Sequence, residues 1–157
     1  MENTGNNSYI SVEEGIEIIR SGGMLIMTDN EERENEGDLI QAAECATAMS
    51  INFMASYGRG LICMPMRQEE AERLSLSPMT EKNNSLHTTA FTVSIDAGNG
   101  GTGISAADRA LTLRLASDAE SRAEDFARPG HIFPLIAKKG GVLERDGHTE
   151  GAVDLMT

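Results

Sequence analysis

The chain has 157 residues, and its 13 basic and 25 acidic side chains leave a net charge of −12. That length suits one domain with a real core. The acidic balance excludes nucleic acid and anionic membrane surfaces as main partners, because both select basic patches.

A small phosphorylated substrate stays compatible if a few Arg and Lys gather locally against the global field. No apolar run approaches a membrane span, and residues 1–10 read as a polar, loose N-terminus rather than a leader. The two cysteines, Cys45 and Cys63, read as free thiols in a reducing, cytoplasmic setting. Cys63, inside the run Leu61-Ile62-Cys63-Met64, reads as a buried small hydrophobe rather than a nucleophile.

In chain order, Ser11 with Glu14 forms a capping-box pattern. Val12, Ile16 and Ile19 then recur at helical spacing, and Gly22-Gly23 supply a stop. A strand over Met24–Thr28 follows, and a second runs from Leu39 to Ala43. Between them lies Asp29-Asn30-Glu31-Glu32-Arg33-Glu34-Asn35-Glu36-Gly37-Asp38, with six carboxylates in ten residues and no apolar side chain. Such a loop is either a solvated charge run or a site for a hard cation. Arg33 within it and the turn-permitting Gly37 favour a built loop. The calcium-loop pattern fails, since Glu34 stands where glycine is needed. A Mg2+ site, with one or two carboxylates and the rest water or substrate, fits better.

Thr47 or Ser50 starts a helix whose Met49, Phe53, Met54 and Tyr57 read as one core-facing side, ending at Gly58. Gly60–Met64 reads as a short apolar strand and Gln68–Leu74 as a charged, exposed helix. Pro78–Thr88 is polar and irregular, and His87 within it reads as a surface residue. Phe91–Asp96 alternates apolar with Thr and Ser as a half-buried strand does.

The glycine-rich run from Gly98 to Gly103 leads into Ser105, a credible N-cap with Asp108 three positions on. Such a run either cradles an anion or is a plain turn; it is neither a Walker A nor a dinucleotide fingerprint. Pro129-Gly130 makes a sharp turn before His131, which then sits at the edge of a strand from Ile132, with Arg128 nearby. A histidine fixed in that way is an acid–base candidate. Last, Arg145-Asp146-Gly147-His148-Thr149 precedes a helical pattern at Ala152, Val153, Leu155 and Met156. That helix N-terminus favours a phosphate, and His148 supplies an imidazole that could complete a metal site begun by Glu34.

Four of these segments, in this order, resemble the 3,4-dihydroxy-2-butanone 4-phosphate synthase family of riboflavin biosynthesis. They are Asp29–Asp38, Gly103–Arg109, Arg128–Pro134 and Gly140–Thr157. The resemblance implies an α+β fold, three α/β/α layers around a central mixed sheet, over residues 11–157. It implies a lyase that turns D-ribulose 5-phosphate into L-3,4-dihydroxy-2-butanone 4-phosphate and formate, with Mg2+ or Mn2+ held by Glu34 and His148. Arg33, Glu34, Asp38, Arg145, Asp146, Gly147, His148 and Thr149 would contact the sugar phosphate. His131, with Glu36 and Asp38, would move protons. A cytoplasmic homodimer with sites near the subunit boundary is also implied.

Two departures bear on this expectation. Family members continue for roughly another 50 residues past Thr157, less than an independent fold, and that part carries a second catalytic glutamate. Gly100-Gly101-Thr102 stands in place of a threonine-rich run. A catalytically incomplete metal- and sugar-phosphate-binding relative, acting as an assembly partner, is therefore the alternative.

Overall fold

Helix α1, Val12–Arg20, begins where the capping box was expected: the Glu14 N–H donates to Ser11 Oγ at 3.2 Å and the Ser11 N–H to the Glu14 carboxylate at 3.0 Å. These coordinates, a computed structural model, describe residues 9–157, so the loose N-terminus expected over 1–10 lies outside the described residues up to residue 8. The helix closes on Gly22, whose φ of 81° is left-handed, with the Gly22 and Gly23 N–H groups donating to Ile19 and Ile18 carbonyls. Val12, expected on the buried stripe, is exposed; Ile19 carries the packing.

Strands β1, Leu25–Thr28, and β2, Gly37–Ile40, form an antiparallel hairpin with Thr28 opposite Gly37. The second strand thus starts two residues earlier than its apolar run, because pairing with β1 extends through Gly37 and Asp38. The acidic loop is the connection of this hairpin.

Helix α2, Ala48–Phe53, is capped by Thr47 and continues into one wider turn, Met54–Gly58. Here the expected core face is mostly wrong, with Met54 alone of its four residues packed against the core. Met49 is 81% exposed and Tyr57 74%, Phe53 is also exposed, and Ile51 alone of this helix is fully buried. Phe53 and Tyr57 stack on each other at 4.7 Å instead.

The larger sheet has the order β3–β5–β4: β3, Cys63–Met66, runs parallel to β5, Phe126–Ile136, and β4, Ile95–Ala97, runs antiparallel to it. A mixed sheet is thus present. Strand β5 starts well before Ile132, its expected first residue, and carries two prolines. It tolerates Pro129 because the ladder breaks there: Ile95 pairs with Ile132 but Asp96 pairs with Ala127, so Arg128–His131 bulge out of register. A Cβ on Gly130 would fall 2.0 Å from the Ile95 carbonyl carbon, so only glycine fits the bulge.

Helix α3, Gln68–Arg73, follows β3, with Ala71 and Leu74 buried beneath its charged face. Helix α4, Ala106–Ser117, packs against α2 and on β4 and β5; helix α5, His148–Leu155, contacts β3 and α1. The main core joins Ile51, Met64, Leu74, Ile95, Leu113 and Ile132. A smaller one, Ile19, Ile40 and Ala152, ties α1 and the hairpin to α5 and so fixes the acidic loop over the α5 N-terminus. Helices on a central mixed sheet match the expected α+β class. Among the described residues no helix is long and apolar enough to cross a membrane.

Candidate active site

Six carboxylates in one loop repel unless cations enter it. Arg33 does so from inside. Its Nη1 donates to Asp29 at 2.8 Å, its Nη2 lies 2.7 Å from Glu34, and its Nε lies 3.6 Å from Asp146 in the loop that precedes α5. Asp29 also accepts the Glu34 and Glu36 backbone N–H groups at 3.0 and 2.9 Å, which folds the loop around one carboxylate. Its partial burial pushes the carboxyl pKa up. The Glu36 N–H, Arg33, the Glu34 N–H and the His148 charge outweigh that and bring it down to about 2. Burial lowers the Arg33 pKa, but the Asp29 hydrogen bond and the charges of Glu34, Asp29 and Asp146 raise it more.

The segment before α5 is built round a second arginine. Arg145 donates through Nη1 to Glu150 at 2.6 Å and through Nη2 to the His87 carbonyl at 3.1 Å and Thr89 Oγ1 at 3.4 Å. Glu150 is 1% exposed and its other oxygen accepts the Lys138 N–H at 3.0 Å. A Cβ at Gly147 would fall 2.1 Å from Arg145 Nη1, so the guanidinium lies over a glycine at the helix N-cap.

His87, read from sequence as a surface residue, is drawn into this group: its Nδ1 lies 3.9 Å from Glu34. The cause is tertiary, since Arg145 fastens the 87–89 backbone. His148 sits at the first position of α5 with Nδ1 3.6 Å from Asp38, while its Nε2 is buried with no hydrogen-bond partner among the described residues. An unpaired buried nitrogen is costly, and it suits a ligand atom whose ring is oriented by a carboxylate on the other nitrogen. His148, Thr149, Glu36 and Asp38 share the wall of a cleft of about 420 Å³, otherwise mostly apolar. Cys63 lines it too; burial, then the Asp38 charge, push its thiol up to about 11.

His131 belongs to a second group. Its Nδ1 lies 2.7 Å from Asp96 Oδ2 and its backbone N–H donates to Asp96 Oδ1 at 2.9 Å. Arg128 is not beside it as expected: it donates to the Leu74, Ala123 and Phe126 carbonyls. The half-buried reading of residues 91–96 also needs correcting. Thr92, Ser94 and Asp96, the polar alternates, are buried because they bond to β5: Ser94 Oγ accepts the Gly130 N–H at 3.1 Å, Asp96 accepts the His131 N–H, and Thr92 Oγ1 donates to the Pro134 carbonyl beyond the bulge. The glycine run behaves as a turn closed by its own helix, with Asp108 accepting the Gly101 N–H at 3.1 Å. That hydrogen bond, first, and the one to Ser105 hold the Asp108 carboxyl below its usual range.

The structure thus gathers Arg33, Glu34, Asp38, Arg145, Asp146, Gly147, His148 and Thr149, with Glu36 on the cleft wall, in one region. His131 belongs to its own hydrogen-bonded group: among the described residues no hydrogen bond or ion pair joins that group to the first. His87, Glu150 and Asp96 are additions that sequence reasoning missed.

A family model described as 3,4-dihydroxy-2-butanone 4-phosphate synthase matches residues 13–157. The chain is 58% identical over 144 residues to a Wolinella succinogenes protein of that name, covering 92% of this chain and 42% of that protein. It is 57% identical over 144 residues to riboflavin biosynthesis protein RibBA of Bacillus subtilis, covering 92% and 36%. A solved 3,4-dihydroxy-2-butanone 4-phosphate synthase in complex with two magnesium ions matches with TM-score 0.92 at 42% identity, over 94% of this chain and 69% of that one. RibBX from A. baumannii, a two-domain synthase, matches with TM-score 0.89 at 44% identity, over 93% and 43%. The chain spans about two fifths of the length of these curated relatives.

Proposed function

The chain belongs to the 3,4-dihydroxy-2-butanone 4-phosphate synthase family, and from that premise we propose that it carries a lyase site converting D-ribulose 5-phosphate into L-3,4-dihydroxy-2-butanone 4-phosphate and formate. One observation carries the reading: His148 Nε2 is buried without a partner among the described residues, its other nitrogen faces Asp38, and Glu36 and Asp38 of the acidic loop line the same cleft.

Glu34 and His148 would hold a divalent cation, Mg2+ or Mn2+, which when bound supplies a Lewis acid for the ketose oxygens. No three His, Cys, Asp or Glu side chains converge on a common point among the described residues. That accords with a hard cation taking one or two protein ligands and leaving other positions to water and substrate. Asp38 orients the His148 ring, and Arg33 holds Glu34 in place. The phosphate would lie at the α5 N-terminus, on the free backbone N–H groups, Thr149 and the Arg145 donors not taken by Glu150, the His87 carbonyl and Thr89. Glu36, Asp38 and His131 would take and return the protons that enolisation, water loss and formate release require.

We assign residues 11–157 to one domain, a homodimer in the cytoplasm. The exposed Met49, Tyr57 and Leu61 support a second copy covering that side, and the unpaired Cys45 and Cys63 support a reducing compartment.

A metal- and sugar-phosphate-binding relative without turnover is the alternative reading. Formate assayed after adding D-ribulose 5-phosphate and Mg2+ decides between them: release supports the lyase, and metal binding without formate supports the relative. If Glu34→Ala and His148→Ala leave Mn2+ affinity unchanged, both readings fail.

A further inference from the structure

We infer that Asp96 is a positioning residue for His131, fixing which ring nitrogen carries the proton. The inference rests on the proposed function only for its kinetic consequence.

Both Asp96 oxygens are committed to one residue. Oδ1 accepts the His131 backbone N–H at 2.9 Å and Oδ2 faces the ring Nδ1 at 2.7 Å. An ionised carboxylate has only acceptors. In a neutral imidazole so placed, Nδ1 therefore carries the hydrogen and Nε2 is the free base. The Asp96 side chain is 12% exposed and the His131 side chain 41%, so the pair has a protected end and an open end.

The surroundings are cut to this arrangement. A Cβ on Gly103 would fall 1.9 Å from Asp96 Oδ2, so the left-handed Gly103, at φ 84°, leaves room for the carboxylate. Gly130 lets the bulge close on Ile95 and Asp96, and its N–H is taken by Ser94. Two glycine turns and one strand thus converge on a single carboxylate that has no Arg or Lys partner among the described residues. A carboxylate kept only for structure needs no such ring contact; one that selects a tautomer does.

The geometry makes a sharp test. In Asp96→Asn the backbone N–H still needs an oxygen, so the amide oxygen must stay there and the NH2 must face Nδ1. The amide then donates to Nδ1 and forces the hydrogen onto Nε2, the wrong tautomer for a base at the open end. Long-range 1H–15N correlation spectra of the 15N-labelled chain report the tautomer of each of the three histidines, with His131→Gln identifying the signal.

We expect His131 as the Nδ1–H tautomer in the parent chain and as Nε2–H in Asp96→Asn. Formate release should fall roughly 100-fold or more in kcat with KM little changed. Asp96→Glu, which keeps two acceptors, should keep the Nδ1–H tautomer. A parent His131 already protonated on Nε2 overturns the inference, as does an unchanged tautomer in folded Asp96→Asn. If Asp96→Asn does not fold, the parent spectrum alone decides. If the parent chain releases no formate the proposed activity fails, while the spectra still judge Asp96.

Discussion

The two halves of the candidate site are held by different physics. Around Arg33 and Arg145, long charged side chains cross between a hairpin loop, the 87–89 segment and the start of α5. Around His131, short side chains and backbone N–H groups close within one sheet, over glycines that admit no Cβ. A charge-held half responds to pH, salt and bound ions, because its geometry is a balance of attractions. A sheet-held half is preorganised and answers mainly to volume and backbone changes. The first suits groups that grip a ligand, the second a group that must keep one orientation.

The strongest way to break that contrast is Gly130→Ala. Its methyl would have to enter the Ile95 backbone, with no flexible side chain to yield. We expect a loss of about 3 kcal/mol or more, at the severe end for single substitutions, read as a lower midpoint in urea unfolding. A loss below about 0.5 kcal/mol, the size of an ordinary surface change, would show that the bulge relaxes and the sheet half is not rigid.

Arg33→Lys comes next. One ammonium cannot reproduce the contacts that Nη1, Nη2 and Nε make to Asp29, Glu34 and Asp146. With Arg33 and Asp29 mostly buried, we expect a cost of about 1–2 kcal/mol, together with roughly tenfold weaker Mn2+ binding because Glu34 loses its orientation.

The pH dependence sharpens the contrast further. The Asp29 carboxyl is lowered to about 2 in the fold, below its unfolded value of about 3.9. A lowered carboxyl contributes stability that is complete above the unfolded value and lost as pH falls through the folded one. Acid titration should therefore loosen the hairpin loop between about pH 4 and pH 2. Asp29→Asn should remove that part of the slope while leaving His131 and Asp96 spectra unchanged.

Some of this was readable in the residues themselves because it is local. Ser11 with Glu14, Gly22, and Ser105 with Asp108 write their caps into spacing alone. The acidic loop announced a site because its self-repulsion needs an answer nearby. What stayed hidden depends on what lies opposite. Helical spacing puts Met49, Phe53 and Tyr57 on related positions but does not say whether anything covers them; Ile51 and, in part, Met54 are the ones that face the core. His87 lies in a stretch with no pattern, and its place comes from Arg145, far along the chain. Thr92, Ser94 and Asp96 follow the alternation of a solvent face, yet the bulge in β5 makes that face the interior.

The smallest effect concerns Cys63, on the cleft wall beside Asp38 and His148. Burial is the main cause holding its thiol up near 11, with the Asp38 charge second. At pH 7 the thiolate fraction is then on the order of 10⁻⁴, and alkylation depends on that fraction. Iodoacetamide should label Cys63 far more slowly than an ordinary exposed cysteine. Asp38→Asn removes only the lesser cause, so its rate should rise by a few-fold, about half a pKa unit. A 100-fold rise would make charge rather than burial the controlling influence, and would move Cys63 into the half of the site governed by ion pairs.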